Sequence, residues 1–172
     1  WFCYPIKVGT SLAFVYFHRD FMSMGVSLAN LFEAASYKDY RNRKPDIIFM
    51  YGGHNEDIHE CVFYKDLVND IFVGFAPSCD EISYFGYMKK MLLTLHNSRK
   101  IFNDELPIHG AMVNIVLKNR KEKNIVIVGD SGAGKSETLE ALRTLANDEI
   151  SEMNVIFDDM GSLKIENGEL KA

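Results

Sequence analysis

Residues 124–137 read Asn124-Ile125-Val126-Ile127-Val128-Gly129-Asp130-Ser131-Gly132-Ala133-Gly134-Lys135-Ser136-Glu137. Four of the first five residues are Ile or Val, the pattern of a short buried strand. Gly129-x-x-x-x-Gly134-Lys135-Ser136 follows, a complete phosphate-binding loop signature. Residues 137–145 then space Leu139, Leu142 and Leu145 as one helical stripe. Strand, glycine loop and helix are the context that the signature needs.

The chemistry expected of such a loop is carried by its backbone. Gly129, Gly132 and Gly134 are expected to take positive φ and to let a phosphate approach without meeting a Cβ. Successive N–H groups would then form an anion nest, reinforced by the N-terminal dipole of the helix starting near Lys135. The nucleotide-binding candidates are Gly129, Asp130, Ser131, Gly132, Ala133, Gly134, Lys135, Ser136 and Glu137. Lys135 can reach the β- and γ-phosphates of ATP, and the Ser136 hydroxyl can meet the Mg2+ that rides on them.

Composition narrows the class. The chain has 172 residues, 47% hydrophobic and 25% charged, an ordinary globular balance. A net charge of −5 argues against a nucleic acid or an anionic membrane as partner. Cys3, Cys61 and Cys79 lie far apart, without the spacing of a zinc module or a disulfide framework, which suits a cytoplasmic location. No apolar run reaches the length of a membrane span. The chain reads as a piece of a longer one. It does not start with Met, and a hairpin through Asn167-Gly168 ends it as soon as it returns.

Upstream, Ser11 to Phe17 and Ile47 to Tyr51 read as strands, and Ser23 to Ala35 has helical spacing. Arg41-Asn42-Arg43-Lys44-Pro45-Asp46 reads as a basic connector. A role for Arg41 or Arg43 toward an acidic substrate is the alternative. His54-Asn55-Glu56-Asp57-Ile58-His59-Glu60 reads as a polar turn rather than a metal site. Residues 61–64 and 71–76 suggest a hairpin. Tyr84 to Phe102 reads as a long helix burying Tyr84, Met88, Met91, Leu92 and Leu95, with Lys89 and Lys90 off that stripe.

Ala111 to Leu117 is a strand joined to residues 124–128 by a charged turn of about six residues, so the two are expected to be antiparallel. The glycine loop would therefore sit on a mixed sheet. After the helix, Met153 to Phe157 reads as a strand ending at Asp158-Asp159. A carboxylate there is where an NTPase holds its metal. Alternation along a strand would turn Asp158 and Asp159 to opposite faces, one for the metal and one as a base or a partner through water.

Lys89-Lys90, His109, the loop and Asp158-Asp159 stand in the order found in ATP-dependent phosphoenolpyruvate carboxykinases, which this stretch resembles. Gly86-Tyr87-Met88-Lys89-Lys90 is similar to that family's Gly-Glu-Met-Lys-Lys segment, with Tyr87 in place of the glutamate. The resemblance implies an α/β fold with a partly antiparallel sheet around the loop. It also implies that Lys90, His109 and Asp159 hold Mn2+, that Ser136 serves a second cation, and that Lys135, Asp158 and Lys90 act in catalysis. The implied reaction is oxaloacetate and ATP to phosphoenolpyruvate, ADP and CO2. Ile108-His109-Gly110 and the loop sequence also resemble the HPr kinase/phosphorylases, in which one aspartate of the pair would be the base on a protein serine. A nucleotide-binding module without catalysis is the third expectation, because the strands and adenine contacts of such a fold would follow Ala172. The chain divides on this reading into residues 1–77, an N-terminal α/β lobe, and residues 78–172, an incomplete nucleotide lobe.

Overall fold

A computed structural model describes residues 1–172 except Asn55, Glu56, Ser131, Ala146, Asn147 and the side chain of Leu145. The chain forms two units, Trp1–Arg99 and Lys100–Ala172. The first holds β1 (Phe2–Val8), β2 (Ser11–Phe17), α1 (Met22–Ser27), β3 (Glu33–Ala34), α2 (Tyr37–Tyr40), β4 (Ile47–Gly53), β5 (Val62–Asp66), β6 (Ile71–Pro77) and most of α3 (Phe85–Phe102). The second holds β7 (Leu106–Leu117), β8 (Glu122–Val128), α4 (Lys135–Leu145), β9 (Ile150–Glu166) and β10 (Glu169–Lys171). No helix among the described residues is long and apolar enough to cross a membrane.

The protein is α/β with a mixed sheet, and that sheet lies in the first unit. Its order is β3-β1-β2-β4-β6-β5, with β2, β4 and β6 parallel and the outer pairings antiparallel. The parallel strands are apolar on both faces, but burial alternates: Val15, Ile47 and Phe49 are fully buried in the core, whereas Phe14 and Ile48 are half-buried and Met50 is exposed. Met88, Leu92 and Leu95 of α3 recur at i, i+4 and i+7, and all three are fully buried in the same core as Ile6, Val15 and Phe49. The contacts divide the chain after Arg99, whereas the sequence reading divides it after Pro77. The difference is this stripe, which packs in the first unit. Tyr84 lies outside the stripe, half-exposed ahead of α3, and its ring meets Tyr87 edge-on.

The helix expected over residues 23–35 is shorter. It stops at Ser27, a single 3-10 turn follows, and Ala34 pairs with Ile6 as part of β3. Backbone hydrogen bonding to β1, including Ala35 N–H to Pro5 O at 3.0 Å, outweighs the helical spacing.

Asp46 fastens the N-terminal ends of the parallel strands. The Leu12 N–H donates to its Oδ2 at 2.7 Å, Arg43 pairs with the same oxygen, and Arg99 Nη2 meets Oδ1 at 2.9 Å. Its backbone accepts from Phe72 N at 3.0 Å and donates to Leu12 O at 2.8 Å. Arg43 of the basic connector is therefore engaged in the fold by this carboxylate.

In the second unit the sheet order is β10-β9-β7-β8, and all of its pairings are antiparallel. The glycine loop thus leaves an antiparallel sheet rather than a mixed one. β8 is an edge strand in that sheet, which corrects its reading as a buried strand: Val128 is 66% exposed, and Ile125 to Ile127 are half-buried. The C-terminal hairpin turns at Asn167 and Gly168 with φ of 54° and 80°, the conformation its sequence calls for.

Candidate functional site

The site of the second unit is assembled where β8 ends, beside the first part of β7 and the middle of β9. Ala111, Val113 and Ile115 on one face of β7 pack with Leu139 of α4. That core sets α4 against the sheet, so the helix begins beside the end of β8. Residues on this face of β7 recur every second position, which places His109 on the side of α4.

Between β8 and α4 runs the glycine loop, of which Ser131 lies outside the described residues. Gly132 and Gly134 adopt φ of 78° and 83°, and nothing lies within 4 Å of where their Cβ atoms would stand. Ala133 between them keeps an ordinary φ, an alternation compatible with an anion nest. Gly129 departs from the expectation, since it is not in the positive-φ region. What it supplies is room: a Cβ there would stand 3.0 Å from that of Ala133. Asp130 and Ala133 close a turn through Ala133 N–H to Asp130 O at 3.1 Å. Glu137 lies exposed in the first turn of α4, where its charge complements the helix dipole.

Lys135 is 8% exposed, and its side chain folds back over the loop. Its Nζ donates to Gly129 O at 3.0 Å and to Asp130 O at 2.9 Å, and lies 3.4 Å from His109 Nε2. The same Nε2 lies 3.1 Å from Asp159 Oδ1. One imidazole nitrogen cannot both donate to the carboxylate and accept from the ammonium. It therefore joins the two only by alternating between tautomers. Ser136 Oγ lies 3.2 Å from both carboxylate oxygens of Asp158 and donates to them.

Both aspartates thus meet groups at the loop, which corrects the expectation that they face opposite ways. The strand does not end at Phe157. β9 continues through both aspartates to Glu166, paired with β7 down to Leu106. Asp158 opposes Ala111 and lies on the α4 face, as alternation requires. Asp159 opposes Gly110 and should lie on the other face. It takes φ of 89°, a costly value for a residue with a side chain, and its carboxylate reaches His109. An extra residue at Ile156, where the register with Met112 and Val113 shifts, further bends this strand.

Two further contacts support the site. Glu105 accepts from Lys100 Nζ and from Ser162 Oγ, each at 2.8 Å, which pins β9 three residues beyond Asp159. Burial pushes the Glu105 carboxyl up, but these two hydrogen bonds outweigh it and hold the group below its ordinary range. Ser162 and Glu105 are 57 residues apart, and no local pattern announces the pair. Gly110 is the second. A Cβ on it would stand 2.6 Å from Ile127 O, so only glycine lets β7 and β8 close beside His109. Gly110→Ala is expected to force the strands apart at a cost of about 1–3 kcal/mol, measurable by chemical denaturation, and to weaken nucleotide binding at the same time.

Lys90 is exposed on α3, in the first unit. Among the described residues, no three His, Cys, Asp or Glu side chains gather closely enough to hold a metal ion by themselves. His109 and Asp159 form one close pair, and Asp158 meets Ser136. No protein-family model matches the chain, and no curated protein matches it.

Proposed function

We propose that the second unit binds ATP with a divalent cation and transfers its terminal phosphoryl group, as a phosphate-binding loop of the phosphoenolpyruvate carboxykinase type would. The observation that carries this reading is the convergence of Lys135, Ser136, His109, Asp158 and Asp159 at the glycine loop. They come from three elements and are linked by separations of 3.4 Å or less.

Each residue has work to do in such a reaction. Lys135 would exchange the carbonyls of Gly129 and Asp130 for phosphate oxygens, a charge-assisted contact that replaces a neutral one. The N–H groups around Gly132 and Gly134, with the start of α4, would take the remaining phosphate charge. Ser136 and Asp158 fit a Mg2+ ion, one ligand direct and one through water. His109 Nε2 and Asp159 Oδ1 are 3.1 Å apart. Octahedral bonds of about 2.1 Å put neighbouring ligands about 3 Å apart, so this pair suits Mn2+. A bound dication would neutralise the phosphates and polarise an acidic substrate such as oxaloacetate. Loss of CO2 leaves an enolate whose oxygen attacks the γ-phosphorus and releases ADP. Positioning and charge compensation carry such a transfer without a nucleophilic side chain.

A second reading is favoured by exposure. His109 and Asp159 retain 40% and 52% of their side-chain accessibility, open enough for the serine of a partner protein, as in the HPr kinases. Asp158 or Asp159 would then be the base. A cytoplasmic location suits both readings.

Phosphorus NMR of the full chain with ATP, Mn2+ and either oxaloacetate or a serine-bearing acceptor protein separates them. Phosphoenolpyruvate supports the first and phosphoserine the second. ATP binding with neither product leaves a nucleotide-binding module. With activity present, Asp158→Asn is expected to lower turnover by roughly 100-fold or more while ATP still binds.

A further inference from the structure

In the first unit, parallel strands β4 and β6 end side by side: Gly53 pairs with Pro77, and Ser78 N–H donates to Gly53 O at 2.9 Å. Open α/β sheets take ligands outside the carboxyl ends of their parallel strands. A cavity of about 650 Å³ opens at these ends, reached by His54 after β4 and by Cys79 after β6. That volume lies within the range of small-molecule sites.

The lining has a definite chemistry. Its carboxylates are Glu60 and Glu81, and no Lys or Arg lines it among the described residues. The sequence extends this asymmetry, since residues 45–64 and 71–88 contain neither Lys nor Arg. Ile58 and Ile82 add an apolar wall. Burial pushes the Cys61 thiol up, and its hydrogen bond with Tyr87, helped by burial, pushes the Tyr87 phenol up to about 12. Both therefore remain neutral at pH 7 and add no charge to the lining. Two carboxylates lining one cavity beside a hydrocarbon surface suit a cationic head on a short alkyl chain.

We propose that this cavity binds a small organic cation, an alkyl amine or alkyl guanidine, with Glu60 and Glu81 receiving the charged head. The inference stands apart from the nucleotide reading, because every residue it uses belongs to the first unit. Agmatine is a suitable probe, with glutarate as its anionic counterpart. Titration of the full chain should show agmatine binding and no glutarate binding. Glu60→Gln and Glu81→Gln should each weaken agmatine by about 10-fold, the size of a lost hydrogen bond to a charged group, while Lys135→Met leaves it unchanged. On the unmodified chain, agmatine should protect Cys61 and Cys79 from iodoacetamide, read by peptide mass spectrometry, without protecting the exposed Cys3. Equal binding of glutarate, unchanged affinity in the two glutamine variants, or no protection of the cavity thiols would overturn the proposal.

Discussion

Lys135→Met is expected to weaken ATP binding by about 10- to 150-fold, the range of one hydrogen bond to a charged group. Any phosphoryl transfer should fall further, by about 100- to 1000-fold, because the ammonium would be worth most against charge developing in the transition state. The starting position of the side chain supports a large effect. Lys135 is buried, and its ammonium already lies at the loop, on the carbonyls of Gly129 and Asp130. Moving to a phosphate therefore requires no ordering of a long, free side chain, whose entropy would otherwise oppose binding. Methionine keeps the unbranched apolar body and removes the ammonium with its charge and donors. Calorimetric titration with ATP reads the affinity, and an unchanged circular dichroism spectrum shows that the loss is not unfolding. Lys135→Arg should not restore binding in full, since a planar guanidinium does not fit where a compact ammonium bonds two neighbouring carbonyls.

Asp46→Ala is expected to destabilise the first unit by about 3 kcal/mol, the lower end of the cost of breaking a buried ion pair from one side. Arg99 keeps only 18% of its side-chain accessibility and would be left with Asp70 at 3.7 Å, itself largely exposed. The Leu12 N–H loses its acceptor as well. Arg43 is half-exposed and recovers water, which is why the estimate stays low in that range. For a unit of this size the loss corresponds to a fall in Tm of roughly 12–24 °C, measurable by calorimetry. Asp46→Asn should cost less, because its amide oxygen still accepts from Leu12.

The two mutations probe features that differ in how visible they are in sequence. The spacing from Gly129 to Ser136 is plain in the sequence, and the phosphate chemistry proposed for the loop rests on that spacing. His109 and the aspartate pair could be nominated from their order along the chain, and the antiparallel pairing of β7 with β8 followed from the short turn between them. Four things stayed hidden for physical reasons. The positive φ of Asp159 is not encoded in its residue type, so alternation misassigned the face its carboxylate serves. The continuation of β9 through residues 160–163 depends on pairing with residues 106–109, which are distant in sequence. Helical spacing at residues 23–35 was outweighed by hydrogen bonds to β1, a tertiary effect that no local window contains. Asp46 looked like the end of a basic connector, yet its partners Leu12 and Arg99 lie 34 and 53 positions away.

The central claim is that Lys135, Ser136, His109 and the two aspartates form one site for a metal-bound triphosphate. Electron paramagnetic resonance of Mn2+, titrated with the full chain in the presence and absence of ATP, tests it most directly. Linkage requires that each ligand tighten the other by the same factor. The account predicts that ATP strengthens Mn2+ binding at least several-fold, that His109→Ala and Asp159→Asn each weaken it, and that Lys135→Met removes the dependence on ATP. Mn2+ binding that ignores ATP, or ATP binding unaffected by all three substitutions, would contradict it.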